Sequence, residues 1–181
     1  MPPVAAVEET EPMLVSEKIV KAFNTQIGNE LGASNQYIAI ASYFDHEDLS
    51  ELSAFFFKQA EEERDHAMKF VRFLLEADGQ VRLPAIAAPK SDFASAEEAV
   101  ALSLAWEQEV TEQIYGLVGL CQAENNFIAQ RFLDWFVTEQ LEEVSSMSTL
   151  LGIVKRAGEQ NLLYVEDYLA RHGLPTAQEG G

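Results

Sequence analysis

From Ser16 to about Arg171 apolar residues recur every three or four positions, and one long stretch, Asp78 to Ala94, breaks that rhythm. A period of this kind describes amphipathic α-helices that each bury one stripe, and nothing in the chain reads as a β-strand. The punctuation predicts four long helices and a short fifth. The first runs from about Ser16 to Asp45. The second starts near Asp48, where Asp48 and Glu51 have capping-box-like spacing, and ends before Gly79. The Asp78–Ala94 stretch contains Pro84 and Pro89 and is not helical throughout. The third helix starts at Ser95, with Glu98 completing a capping box, and ends near Asn125 and Asn126. The fourth runs to about Ala157 and stops at Gly158; the fifth spans roughly Asn161 to Arg171 and is closed by Gly173 and Pro175.

Loop length dictates topology. The first and third connections are short, so each joins its two helices as an antiparallel hairpin. The second connection has about 17 residues and reaches roughly 55 Å when extended, whereas a helix of about 29 residues is roughly 43 Å long. It can therefore cross the bundle and leave the second and third helices parallel. The expected fold is all-α: a four-helix bundle with one long crossover and a short fifth helix. The domain is expected over residues 15–172, with flexible tails at 1–14 and 173–181.

Composition narrows the function. The 181 residues are 48% hydrophobic, enough for one substantial core. The formal charge of −18 argues against a nucleic-acid or anionic-membrane surface, which would need Lys and Arg. It is compatible with attracting cations, or simply with solubility. Cys121 is the sole cysteine, so no intrachain disulfide can form, and a cytoplasmic setting fits. No apolar run approaches membrane-spanning length. Met1 to Pro12 lacks a basic region followed by an apolar one and is not a secretory signal.

The inward stripes carry the chemistry. They read Ile19, Phe23, Gln26, Glu30, Ala33, Tyr37, Ile40 and Phe44 on the first helix; Leu52, Phe56, Gln59, Glu63, His66, Phe70, Phe73 and Ala77 on the second; Val100, Leu104, Glu107, Thr111, Ile114, Val118 and Cys121 on the third; and Phe132, Phe136, Gln140, Glu143, Met147, Leu150 and Val154 on the fourth. Each stripe holds one glutamate well inside it. Glu30 and Glu63 are equally distant from the turn at Asp45–Asp48, and Glu107 and Glu143 are equally distant from Asn125, so each hairpin pair is level. The relative height of the two hairpins stays open.

Four carboxylates in a dry core cannot all stay ionised without compensation. The stripes supply no Lys or Arg, so cations are the remaining solution. His66 follows Glu63 by one helical turn and faces the same way. The candidate ligand set is Glu30, Glu63, His66, Glu107 and Glu143, and oxygen donors with one imidazole suit iron or manganese better than zinc. Taken singly, each feature has a plainer reading. Glu-x-x-His is a weak motif, a lone buried histidine is usually a satisfied core residue, and Tyr37 and Trp135 are more often packing residues than redox partners. The coincidence across four helices carries the metal reading.

With those residues in view, the chain resembles the non-haem bacterial ferritins over roughly Val15 to Leu169. The resemblance is carried by Gln26-Ile27-Gly28-Asn29-Glu30-Leu31 with Tyr37 seven residues on, by Glu62-Glu63-Arg64-Asp65-His66, by Glu107-Gln108, and most specifically by Trp135-Phe136-Val137-Thr138-Glu139-Gln140-Leu141-Glu142-Glu143. It implies a ferroxidase centre with Glu30, Glu63 and His66 on a first iron. Glu63, Glu107 and Glu143 would hold a second iron, with Glu63 bridging and Gln140 as a hydrogen-bonding neighbour. It also implies a third iron site at Glu62, Glu139 and Glu142, with Tyr37 as a one-electron donor. The implied assembly is a hollow cage of twenty-four subunits, and the implied function is to oxidise Fe(II) with O2 or peroxide and store the ferric mineral.

The departures bear on function. Bacterioferritins and rubrerythrins repeat Glu-x-x-His in the fourth helix, whereas here Ser146 stands three residues after Glu143. Bacterioferritins place a haem-ligating Met directly after the first-motif glutamate; here that residue is Arg64, so no haem is expected by that route. No Cys-x-x-Cys pair is present. The rival reading is a di-iron oxidoreductase or peroxidase of the rubrerythrin-like class that retains its metals; the single Glu-x-x-His favours storage.

Overall fold

The computed structural model describes residues 14–174. The expected tails at 1–14 and 173–181, and Pro175, lie outside that range except for Leu14, Gly173 and Leu174. The described chain is all-helical: α1 Glu17–His46, α2 Ser50–Glu76, α3 Ala96–Ala123, α4 Phe127–Ala157, a 3-10 turn Glu159–Asn161, and α5 Leu162–His172. None of these helices is long and apolar enough to cross a membrane.

Local chemistry sets the ends. Ser16, Ser95 and Asn126 cap α1, α3 and α4, their side chains accepting from the amides of Ile19, Glu98 and Ala129. The first three helices end alike. Asp48, Asp78 and Asn125 take positive φ, and the amides of Leu49, Gly79 and Asn126 donate back to the carbonyls of Phe44, Leu74 and Cys121 at 2.9, 2.7 and 2.9 Å. Asp and Asn tolerate that conformation better than most residues, and the bonds satisfy carbonyls that a helix end leaves free. Asp48 is thus the turn residue after α1, not the cap of α2. The N-cap of α2 is Leu49, whose side chain caps nothing. The amides of Glu51 and Leu52 are instead met by the carboxylate of Glu166 on α5, at 2.8 and 3.0 Å. Glu159 does the same for α3, accepting from the amides of Ala96 and Glu97 at 3.2 Å each.

Helices α1 and α2 form one antiparallel hairpin and α3 and α4 the other. Contacts between the two hairpins, at their ends and between α1 and α3, fix how they meet. The Asn126 side chain donates to the carbonyl of Leu14 at 2.9 Å, Gln26 donates to Gln113 at 3.2 Å, and Tyr37 donates to Glu107. As the number rises on α1 it falls on α3, so these two run antiparallel, and α2 and α3 are parallel, as the crossover length allows. The crossover follows α1. Asn24 donates to the carbonyl of Gln80 and accepts from the amide of Arg82, at 2.8 and 2.6 Å; Gln36 makes the same pair of bonds with Lys90, at 2.8 and 2.9 Å. These side chains supply partners that the extended backbone lacks. Gly28 lets Pro84 lie against the helix, since a Cβ there would stand 2.2 Å from the proline Cγ.

The apolar core falls into two clusters. One gathers Ala33–Phe44 residues of α1 with Leu52, Phe56, Val100, Met147, Leu150 and Val154. The other joins Ile19, Phe23 and Ile27 to Phe70, Leu74, Val110, Ile114, Leu133 and Phe136. Burial of each large apolar side chain contributes about 1.5–3 kcal/mol. The gap between the clusters comes at Glu30 on α1, Glu63 on α2, Glu107 on α3 and Glu143 on α4. Phe73, Leu104, Thr111, Val118 and Phe132, read from the sequence as inward, are only half-buried, while Leu74, Ser103, Val110, Leu117 and Leu133 are buried. Each of these is one position from an expected residue, which the drift of a 3.6-residue helix against a strict stripe explains.

Candidate metal centre

The four glutamates lie in the polar layer between the apolar clusters. Glu30, Glu63 and Glu107 are at most 1% exposed, His66 3% and Glu143 6%. The packing that excludes water is aromatic on one side: the rings of Trp135 and Phe136 meet the His66 imidazole edge-on, with centroids 5.3 and 5.9 Å away.

Two groups of donors converge. Glu30, Glu63 and His66 each offer an atom within 4.8 Å of the others, and so do His66, Glu139 and Glu143. Nδ1 of His66 is 3.6 Å from Glu63 Oε2, and Nε2 is 3.8 Å from Glu139 Oε1. His66 therefore stands between the two groups. Glu107 faces Tyr37, whose hydroxyl donates to Glu107 Oε1. The remaining oxygens are the notable ones: Glu30 Oε2, Glu63 Oε2 and Glu107 Oε2 are buried with no hydrogen-bond partner. A buried carboxylate oxygen without a partner is strongly unfavourable, and three facing one layer make a donor set short of a cation.

Electrostatics agree. Burial pushes Glu63 well above the usual carboxylate range, and the neighbouring Glu107, Glu30 and Glu143 push it further. Glu143 is raised well above that range by burial and then by Glu107, against a lowering pull from His66. Glu107 is raised to about 7 by burial, with the Tyr37 hydroxyl opposing the rise. His66 feels burial in the opposite sense, yet the Glu139, Glu30 and Glu143 carboxylates outweigh it and raise the imidazole. Burial and Glu107 also raise Tyr37 well above its ordinary value, so the phenol keeps its proton and donates. In water-free surroundings these groups retain protons until cations replace them.

Of the third acidic set read from the sequence, Glu139 joins His66 and Glu143 as described. Glu62 is half-buried and engaged along its own helix, with Lys58 3.1 Å away and the Gln59 amide donating to it. Glu142 is half-buried and belongs to neither donor group. Three residues of the inward stripes gain contacts that the sequence does not reveal. The Gln26 amide donates to Glu30 Oε1 at 2.9 Å. Thr111 donates to Gln140 Oε1 at 2.8 Å, leaving the Gln140 amide to face Glu107. Gln59 lies beside Glu62 with its own carbonyl oxygen buried and unpartnered. The only signal for any of them was a three- or four-residue step from an acidic residue on the same stripe.

Comparison with known proteins agrees with this architecture. The family model described as a ferritin-like domain matches residues 20–157. The chain is 45% identical over 146 residues to ferritin BfrB of Mycolicibacterium smegmatis, covering 81% of this chain and 80% of that protein. It is 35% identical over 153 residues to the bacterial non-heme ferritin of Staphylococcus aureus, covering 84% and 92%. Among solved structures, an open-pore ferritin from the hyperthermophilic archaeon Archaeoglobus fulgidus superposes with a TM-score of 0.85 at 34% identity, covering 89% of this chain and 99% of that one. With this bundle, this crossover and this buried carboxylate layer, the chain belongs to the ferritin family.

Proposed function

We propose that this chain is an iron-storage ferritin subunit that oxidises Fe(II) at its buried carboxylate layer and passes the ferric product to a mineral core. Fe(II) is the substrate. Glu30, Glu63 and His66 hold one ion, Glu63, Glu107 and Glu143 hold its neighbour, and Glu63 spans both. Each Fe(II) gives up one electron; O2 takes the pair with two protons and leaves as hydrogen peroxide, or peroxide takes the pair with two protons and leaves as two waters, the protons coming from water hydrolysed as the ferric oxide forms. Carboxylate donors favour the ferric state, which makes the electron loss downhill. Gln140, held by Thr111, turns its amide to Glu107; Tyr37, which donates to Glu107, is read as the donor of a further electron to the same oxidant. Glu139, with Glu142 one turn along α4 and Glu62 on α2, forms the acidic side from which a third ion would be held. The domain covers residues 15–172, the subunits assemble as a twenty-four-membered cage, and the compartment is the cytoplasm.

The observation that carries this reading is the trio of buried, unpartnered oxygens on Glu30, Glu63 and Glu107. Hydrogen-bonding side chains would have quenched them in a purely structural bundle. The test is aerobic Fe(II) oxidation with gel filtration and bound-iron analysis. The wild type should oxidise Fe(II) faster than buffer, elute as a large particle and load far more iron than two ions per subunit. Glu63→Ala and His66→Ala should oxidise no faster than buffer. Equal rates for wild type and buffer would sink the proposal.

A further inference from the structure

The carboxylate of Glu30 is divided in use. Its Oε2 is buried and unpartnered, while its Oε1 accepts from the side-chain amide of Gln26, one helical turn earlier, at 2.9 Å. Gln26 is itself buried, and its amide is not free to turn. The second N–H of the same Nε2 reaches Gln113 Oε1 on α3 at 3.2 Å. The Gln26 carbonyl accepts from Asn29 Nδ2 at 3.3 Å, and Asn29 Nδ2 also lies 2.9 Å from Gln113 Oε1. The Gln113 amide in turn faces Glu109 Oε1 at 3.4 Å. Three amides thus close a ring that borders the carboxylate layer at Gln26. Its outer edge, Asn29 and Gln113, lines a surface pocket of about 530 Å3 under the crossover.

We propose that Gln26 is a positioning residue for Glu30, and that Asn29 and Gln113 hold its amide in the orientation that donates to that carboxylate. An ionised carboxylate only accepts hydrogen bonds, and an amide offers a donating and an accepting end that differ by a half-turn. Flipping Gln26 would set two oxygens against each other at Glu30. It would also point a donor at Asn29 Nδ2, which cannot accept. The ring therefore selects one amide orientation. With Oε1 tied back, Glu30 offers its free Oε2 to a cation, and offers it in a fixed direction. Supporting residues of this kind set ligand orientation and charge as firmly as the ligands themselves. Gln113 and Asn29 bond neither Glu30 nor any other proposed ligand, so whatever they do for metal binding they do through Gln26.

This inference rests on the ferroxidase reading, and the experiment separates the two. The probe is Co(II), titrated anaerobically into the assembled protein and followed by its visible absorption, with steady-state Fe(II) oxidation measured in parallel. Wild-type protein that neither binds Co(II) in the layer nor oxidises Fe(II) defeats the function and, with it, this inference. If the wild type does both, Gln26→Leu should weaken the first Co(II) site about tenfold and raise the apparent KM for Fe(II) by a similar factor. The kcat should change much less, because the ligands remain. Gln113→Leu should shift the same two quantities in the same direction, by about threefold. Gln113→Glu keeps an oxygen that accepts from Gln26, gives up the amide's contact with Glu109, and should hold affinity closer to the wild type than Gln113→Leu does. A structural role alone would lower thermal stability and leave Co(II) affinity and KM in place. Wild-type Co(II) affinity in Gln26→Leu, or in Gln113→Leu while Gln26→Leu is impaired, overturns the proposal.

Discussion

Tyr37 on α1 donates its hydroxyl to Glu107 on α3, and this bond joins the two hairpins at the level of the carboxylate layer. The phenol ring packs against Phe56, with centroids 5.8 Å apart, so ring and hydroxyl have separable roles. Tyr37→Phe should keep the bundle folded and leave Glu107 with the Gln140 amide as its remaining donor. The expected loss is about 1–3 kcal/mol in metal-free protein. Fe(II) oxidation should slow without ceasing. Calorimetry and stopped-flow absorbance check the two halves; unchanged stability would mean the bond is not formed in solution.

Glu63 is the group whose replacement separates function from stability. Its burial among Glu107, Glu30 and Glu143 raises its affinity for a proton and leaves one oxygen unpartnered. Glu63→Gln removes a potential charge from the layer at nearly constant volume. Metal-free Glu63→Gln should therefore be more stable than wild type, by on the order of 1–3 kcal/mol, as expected when a strained site is relaxed. It should also lose Fe(II) oxidation. A variant both inactive and less stable would show that Glu63 is paired in the metal-free protein after all.

The pH dependence of the metal-free protein follows from the same carboxyls. Burial raises Glu107 from the ordinary 4.5 to about 7, and raises Glu63 and Glu143 well above that ordinary value. As pH climbs past 4.5 the unfolded chain gives up these protons while the folded chain keeps them, so stability falls with rising pH. His66, raised in the fold, adds to the same trend, because its contribution is lost as pH passes its folded value. Each such proton contributes a slope of about 1.4 kcal/mol per pH unit where it is fully held. Metal-free protein should melt lower at about pH 7.5 than at about pH 5.5, and Glu63→Gln should flatten the difference. Divalent cations should reverse the order, stabilising most at the higher pH and releasing protons on binding, which calorimetry in two buffers detects.

Glu166 is expected to latch α5 to the bundle. Its carboxylate accepts from the first amides of α2, where α2 has no side-chain cap of its own. Glu166→Ala should cost about 1–2 kcal/mol, the usual worth of a helix cap. Hydrogen exchange should quicken first in α5 and the opening turn of α2. Protection unchanged in both segments would count against the latch.

Gly28 sits where Pro84 presses on α1. Gly28→Ala gains helix propensity of roughly 1 kcal/mol but must displace the crossover. The second effect should win, because a contact of 2.2 Å to a ring carbon has to be relieved by moving backbone on one side or the other. The expected result is a net loss of stability, with Asn24 and Gln36 losing their bonds to the crossover first. A melting temperature above that of the wild type would mean the crossover yields freely.

Much of this protein is legible in the order of its residues. Helix limits follow from local chemistry: α1 starts beside Ser16 and Ser95 caps α3 as expected, Gly158 ends α4 with a φ of 69°, and the inward glutamates on each stripe are buried. Helical period and turn position depend on neighbours in the chain, so level pairs such as Glu30 with Glu63 can be read before folding. The crossover length also allowed α2 and α3 to be parallel.

What the sequence left open belongs to contacts between distant residues. The heights of the two hairpins are set by Tyr37 on Glu107 and Gln26 on Gln113. The route of the crossover is set by Asn24 and Gln36. The cap of α2 comes from Glu166, more than a hundred residues away, and not from Asp48. Glu139 turns towards His66 while Glu62 turns to Lys58, although both stand on acidic stretches that look alike. A helical period assigns a side chain to a face, but which partner it meets there depends on how whole helices slide and rotate against one another, and that is decided only when the core packs.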